Sequence, residues 1–200
     1  MKHNVIGLTG QTGAGKSTVA AMAAELSCRI ISADAVAREA LQKGSPVLRE
    51  LAEIFGEDII DRDGSCRRSV LAQRAFSTPE NTELLNRTTH PWILRRTEEL
   101  IAECEPDKPV IFDAPQLFES GGEVLCRKVI AVVAPKELRL QRIMERDGIS
   151  QQSALLRINA QHDEVYYTAR ADFVINGALP LLQVRKETEA IISRLKLSEG

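Results

Sequence analysis

Aromatic residues are scarce: Phe, Tyr and Trp make up 4% of the 200 residues, with Trp92 the single tryptophan. A core with so few rings has to be mainly aliphatic. A surplus of one charge is also missing. Lys and Arg number 26 against 28 Asp and Glu, a net charge of -2. No overall field draws such a chain to nucleic acid, so an anionic ligand has to be captured locally. No apolar run is long enough to span a bilayer. The opening MKHNVIGLTG meets glycine before a signal-peptide core can form. The four cysteines, Cys28, Cys66, Cys104 and Cys126, are scattered and make no CxxC pair. They read as reduced thiols, and the close spacings that zinc requires are absent. The expectation is a cytoplasmic protein with neither a membrane nor a nucleic-acid partner.

What is present has a regular order. Short apolar runs bounded by breakers predict strands at Asn4–Thr9, Arg29–Ser32, Val110–Asp113, Lys128–Ala134 and Asp172–Asn176. Helical stretches separate them: Ser17–Leu26, one opening at Asp34, then 136–147, one capped by Ser150, and Pro180–Leu195. Strands alternating with helices predict an α/β fold, a parallel sheet of about five strands covered on both faces. Between about Gly44 and Arg87 the pattern lacks strands and predicts a helical lobe. A longer helix is expected to begin near Pro91, because proline is tolerated in a first helical turn. No repeat or linker interrupts the chain, so a single domain over 1–200 with an inserted lobe fits best.

The strongest local signal is Gly10-Gln11-Thr12-Gly13-Ala14-Gly15-Lys16-Ser17, which satisfies GxxxxGK[ST] at every fixed position. A strand precedes it and a helix follows. Glycines allow successive N–H groups to turn inward around phosphates, and the helix N-terminus adds partial positive charge. Lys16 supplies a full charge, and the Ser17 hydroxyl suits Mg2+ bridging phosphate oxygens. Thr12, Gly13, Ala14, Gly15, Lys16, Ser17 and Thr18 are the expected nucleotide contacts, with ATP and Mg2+ as cofactors.

Other residues point from binding to transfer. Asp34 follows the second strand, where a carboxylate can orient or deprotonate an acceptor hydroxyl; helix capping is the ordinary alternative. Asp113 ends the third strand, at a position suited to a metal-site carboxylate or simply to a turn before Pro115. Arg139, Arg142 and Arg146 fall at steps of three and four, sharing a helix face. Arg157 follows on the next helix. Two helices around DGIS can form a lid, with Arg142 and Arg146 the favoured charge-stabilising members. A solvated cationic face is the plainer reading of each arginine. His90 is read as structural and Trp92 as packing, with an acceptor-pocket wall as its alternative. These residues alone leave the acceptor open, since a nucleoside or nucleotide monophosphate kinase shares them. A regulatory GTPase would carry Asn-Lys-x-Asp after a strand, whereas the fourth strand runs into Ala134-Pro135-Lys136-Glu137. A chain that only binds nucleotide fits poorly with intact Lys16, Ser17 and Asp34.

Taken in order, GLTGQTGAGKSTVA, SADAVAR, Arg68-Ser69-Val70-Leu71, LLNRTTHPWI, FDAPQLFESG, QRIMERDGIS and NAQ before ADFVIN resemble the dephospho-CoA kinase family. The resemblance runs from about residue 5 to residue 177. It implies ATP-dependent phosphorylation of the ribose 3′-hydroxyl of dephospho-CoA, the last step of coenzyme A biosynthesis. The sequence does not fix the oligomeric state, and a monomer is the favoured expectation. The resemblance also implies a three-layer P-loop core (1–43, 110–136, 164–200), a helical CoA subdomain (44–109) and a lid (137–163). Asp34 matches the catalytic aspartate, Arg142 or Arg146 the lid arginines, and Asn176 a position near the adenine. Two departures stand out. Family members commonly read Asp-x-Asp where this chain has Ser32-Ala33-Asp34, and Gln116 stands where leucine is common.

Overall fold

A parallel sheet needs helices over both faces, and the element order supplies them. The computed structural model describes residues 4–197; residues 1–3 and 198–200, the ends of the expected 1–200 domain, lie outside the described residues. Strand β1 is Val5–Gly10, followed by α1 (Lys16–Glu25), β2 (Arg29–Ser32) and α2 (Ala33–Ala40). Helices α3 (Pro46–Phe55), α4 (Arg68–Ala75) and α5 (Pro79–Ala102) come next, then β3 (Val110–Asp113) and β4 (Lys128–Val133). The chain closes with α6 (Lys136–Asp147), α7 (Gln151–Asn159), α8 (Glu164–Thr168), β5 (Phe173–Asn176) and α9 (Leu181–Leu197). The chain forms two compact units, one of residues up to Ile31 together with Cys104 onward, the other Ser32–Glu103.

The first unit carries the sheet, in the order β2-β3-β1-β4-β5. Strand β1 runs parallel to β3, with Leu8 opposite Asp113, and parallel to β4, with Gly10 opposite Val132. Strand β4 pairs in parallel with β5, ending at Val133 opposite Asn176. All six residues of β1 are buried, as a central strand covered on both faces requires. One core joins Ile6, Leu8, Ile130, Val132 and Ile175 to Val19 and Met22 of α1 and to Val184 and Ile192 of α9. The register decides the chemistry. It sets the carboxyl ends of β1, β3 and β4 side by side, so Asp113 and the loop after Gly10 share one rim.

The core is aliphatic, as the shortage of rings required; Phe55, Phe112 and Tyr167 are its buried aromatics among the described residues. At the edge between β4 and β5, Asp172 accepts from Lys128 Nζ at 2.6 Å and from the Val129 N–H at 2.9 Å. Burial raises the Asp172 carboxyl, but those two donors outweigh it and hold the group below its ordinary value.

The second unit is helical, with Leu48, Leu51, Phe55, Ile59 and Leu71 buried and Trp92 packed against them. Its edges fall at Ser32 and Glu103, where the sequence suggested 44 and 109; α2 packs on α3 and α5. The expected helix start near Pro91 is corrected. Helix α5 runs unbroken from Pro79, its N-cap Thr78 accepting the Asn81 N–H, and Pro91 lies inside it. The first-turn proline is therefore Pro79. Helix α8, capped by Asp163, was not anticipated; five residues are too few to show a period.

Pro91 has no N–H to donate to the carbonyl of Arg87, four residues back, so this turn is weaker than an all-alanine one. Pro91→Ala is expected to raise stability by about 1–3 kcal/mol. Urea denaturation checks this: the midpoint should rise with the slope unchanged. A lower midpoint would mean that α5 needs the local geometry proline imposes.

Candidate active site

The turn between β1 and α1 cannot be closed by ordinary residues. Gly15 is the N-cap of α1 at φ 104, in the left-handed region, and it offers no side chain to the helix N–H groups. No acidic residue occupies the first turn of α1. The positive end of the helix is therefore left to a ligand. Gly177 plays a different part. A methyl group there would stand 1.8 Å from the carbonyl oxygen of Ala14, so its smallness lets the segment after β5 lie against the loop.

Lys16 Nζ is paired with Asp113 Oδ1, both side chains about five-sixths buried. Asp113 thus holds the lysine at the rim that β1 and β3 share. The hydroxyl-bearing Ser17 and Thr18 are exposed beside it. Arg142 reaches across from α6. Its guanidinium donates to the carbonyls of Gly13 at 3.3 Å, Ala14 at 3.4 Å and Gly177 at 2.9 Å. It stitches the loop to the end of β5. Gly15, Thr18, Arg142, Gly177, Leu179, Leu181 and Val184 line a cleft of about 260 Å³. Gly15 and Thr18 bring the phosphate loop and α1 to that lining, and Leu179, Leu181 and Val184 make its apolar part.

The other arginines part company along their shared face. Arg139 is buried, its Nε donating to the Ala134 carbonyl at 3.0 Å. Burial pushes its guanidinium below the ordinary value, against the pull of Glu164, Tyr167 and Glu137. Arg146 is not brought to the loop. It holds Asp147 through bonds of 2.8 and 3.0 Å, and Arg157 donates to the same carboxylate. The Arg146 hydrogen bond, ahead of the Arg157 charge, keeps the Asp147 carboxyl below its usual range.

Asn176 ends β5, exposed, with its Oδ1 accepting the Ala178 N–H at 2.9 Å. Asp34 stands exposed in the first turn of α2, on the helical unit. It is not the helix cap. That place belongs to Ser32, whose hydroxyl accepts the Ala35 N–H at 3.3 Å. Serine at this position thus does the capping work an aspartate would also do, and Asp34 is left without that duty. The structure therefore brings the loop, Lys16, Asp113 and Arg142 together, while Arg146 faces Asp147. Sequence reasoning missed Gly177 and Gln161, which accepts the Thr12 N–H. Gln161 lay within the NAQ segment that carries part of the resemblance, yet no role followed from it, and nothing local marked Gly177, directly after DFVIN.

The dephospho-CoA kinase family model matches residues 4–180. The chain belongs to the dephospho-CoA kinase family. A dephospho-CoA kinase of Corynebacterium jeikeium is 40% identical over 186 residues, covering 92% of this chain and 95% of that one. A solved Thermus thermophilus protein, TT1252, superposes with a TM-score of 0.83 at 32% identity, covering 98% and 99% of the two chains. The dephospho-CoA kinase from Campylobacter jejuni gives a TM-score of 0.63 at 30% identity, covering 98% of each. The α/β P-loop kinase fold read from the sequence is the fold this family shares.

Proposed function

We propose that the chain transfers the γ-phosphoryl group of ATP to the ribose 3′-hydroxyl of dephospho-CoA, giving CoA and ADP, the closing step of coenzyme A biosynthesis. The observation that carries this is the intact phosphate loop, with Lys16 fixed by Asp113, in a chain that matches the dephospho-CoA kinase family from residue 4 to residue 180. The apolar part of the cleft lining, Leu179, Leu181 and Val184, suits a purine base, and Asn176, directly before the lining residue Gly177, is the side chain proposed to meet it. The loop N–H groups, the α1 dipole and Lys16 take the phosphates.

Transfer is direct and in line. The acceptor oxygen forms the new P–O bond as the bond to the ADP oxygen breaks, and the hydroxyl proton passes to the Asp34 carboxylate. Arg142 sits beside the loop from the outset. Arg146 joins it only on leaving Asp147, so its share depends on movement of α6 and α7, the lid of residues 137–163. Residues 44–109 then serve the CoA moiety. Among the described residues no group of three or more His, Cys, Asp or Glu could hold a metal ion by itself. The Ser17 hydroxyl and the Asp113 carboxylate, both hard oxygen donors, would hold Mg2+ beside the loop. When bound, it neutralises charge on the phosphate oxygens. No helix among the described residues is long and apolar enough to cross a membrane.

ADP release with Mg-ATP should appear with dephospho-CoA and not with AMP, CMP or adenosine, and the product mass should be that of CoA. Turnover of a nucleotide or nucleoside instead would keep the phosphate chemistry and sink the acceptor. Asp34→Asn should lower kcat by about 10²–10⁴ with ATP affinity kept, measured by calorimetry beside the rate. Near-normal turnover would remove Asp34 from the proton transfer.

A further inference from the structure

The phosphate loop is tied to the end of the lid helices by two amides. The Thr12 N–H donates to Gln161 Oε1 at 2.7 Å, and Gln11 Nε2 donates to the His162 carbonyl at 3.4 Å. Gln11 is 3% exposed, and its Oε1 has no partner. The bond to His162 is thus the compensation this buried amide finds on its donor side. Residues 161 and 162 are themselves well placed. The Gln161 N–H donates to the Ile158 carbonyl at the end of α7, at 3.2 Å. The His162 ring stacks on Tyr166 of α8 with centroids 3.7 Å apart and planes 16° from parallel. Phe118, in the segment after β3, meets Tyr166 edge-on at 6.1 Å, and the Arg170 guanidinium lies 4.0 Å from the Tyr166 ring centroid.

We infer that Gln161 is a positioning residue for the nucleotide, holding the entrance of the phosphate loop in its binding shape through the Thr12 N–H. The reasoning is entropic. Gly10, Gly13 and Gly15 all have positive φ, and a loop so rich in glycine loses much freedom when it closes round phosphates. A contact that fixes the loop beforehand removes part of that cost and strengthens binding. Gln161 supplies it from a backbone anchored on one side by α7 and on the other by the Tyr166 ring pile. That pile reaches Phe118, which follows the strand carrying Asp113. The same short segment therefore touches the loop, the lid and the region beyond β3. The inference deepens the phosphoryl-transfer reading above and rests on it for its kinetic consequence only.

Gln161→Met keeps the length and volume of the side chain and removes the acceptor. Calorimetric titration with ADP should show Kd raised about fivefold, the loss of one modest hydrogen bond. The KM for ATP should rise alike, more than kcat falls, while Tm stays within about 3 °C. Gln161→Asn, which draws the amide back by one methylene, should move ADP affinity the same way. Wild-type ADP affinity in both folded variants overturns the inference. So does a lowered Tm with affinity unchanged, which would make Gln161 a contributor to stability alone. A wild-type chain that binds ADP yet transfers nothing to dephospho-CoA would count against the proposed function, and the ADP comparison would still decide the role of Gln161.

Discussion

The sheet unit is organised around one charged contact, the pairing of Lys16 with Asp113. It joins the first residue of α1 to the last residue of β3, across the strand register that sets Leu8 opposite Asp113. The lysine is mostly buried, and burying an ammonium is costly unless a carboxylate is paired with it. Because the chain as a whole carries a net charge of -2, attraction for a polyphosphate has to be concentrated at such a point. Three further features meet at the same loop. The uncapped start of α1 adds partial charge, Arg142 binds the loop's carbonyls, and Gly177 lets the segment after β5 lie against Ala14.

The placement of the remaining charges follows a similar economy. Arg142 is committed to backbone oxygens and defines the wall of the cleft. Arg146 and Arg157 are held by Asp147 at the turn between α6 and α7. One carboxylate thus holds two guanidinium groups together at that turn. The cationic face that the spacing of arginines suggested is thus graded, from the buried Arg139 through Arg142 at the loop to the exposed Arg146.

Much of the fold was legible because it is local. The strands at Arg29–Ser32 and Val110–Asp113 end where breakers or polar residues interrupt an apolar run, and α6 opens directly after Pro135. Pro91 was misread because a proline in a helix pattern most often marks a start, and the better start, Thr78-Pro79, lay twelve residues upstream. Ser32 looked like a lost carboxylate, yet a hydroxyl serves equally well as a cap for α2. The candidate site was legible only where it is contiguous. The loop from Gly10 to Ser17 announces itself. The pairings Lys16–Asp113, Arg142–Gly177 and Thr12–Gln161 join residues far apart in the chain, and no spacing rule encodes them.

The direct test of this account is the turnover of Lys16→Ala with Mg-ATP and dephospho-CoA. If the ammonium held by Asp113 is the focus of charge stabilisation, kcat should fall by roughly a hundredfold or more, with the sheet unit still folded. Turnover equal to that of the wild-type chain would contradict it, because the phosphates would then be stabilised by something other than this site.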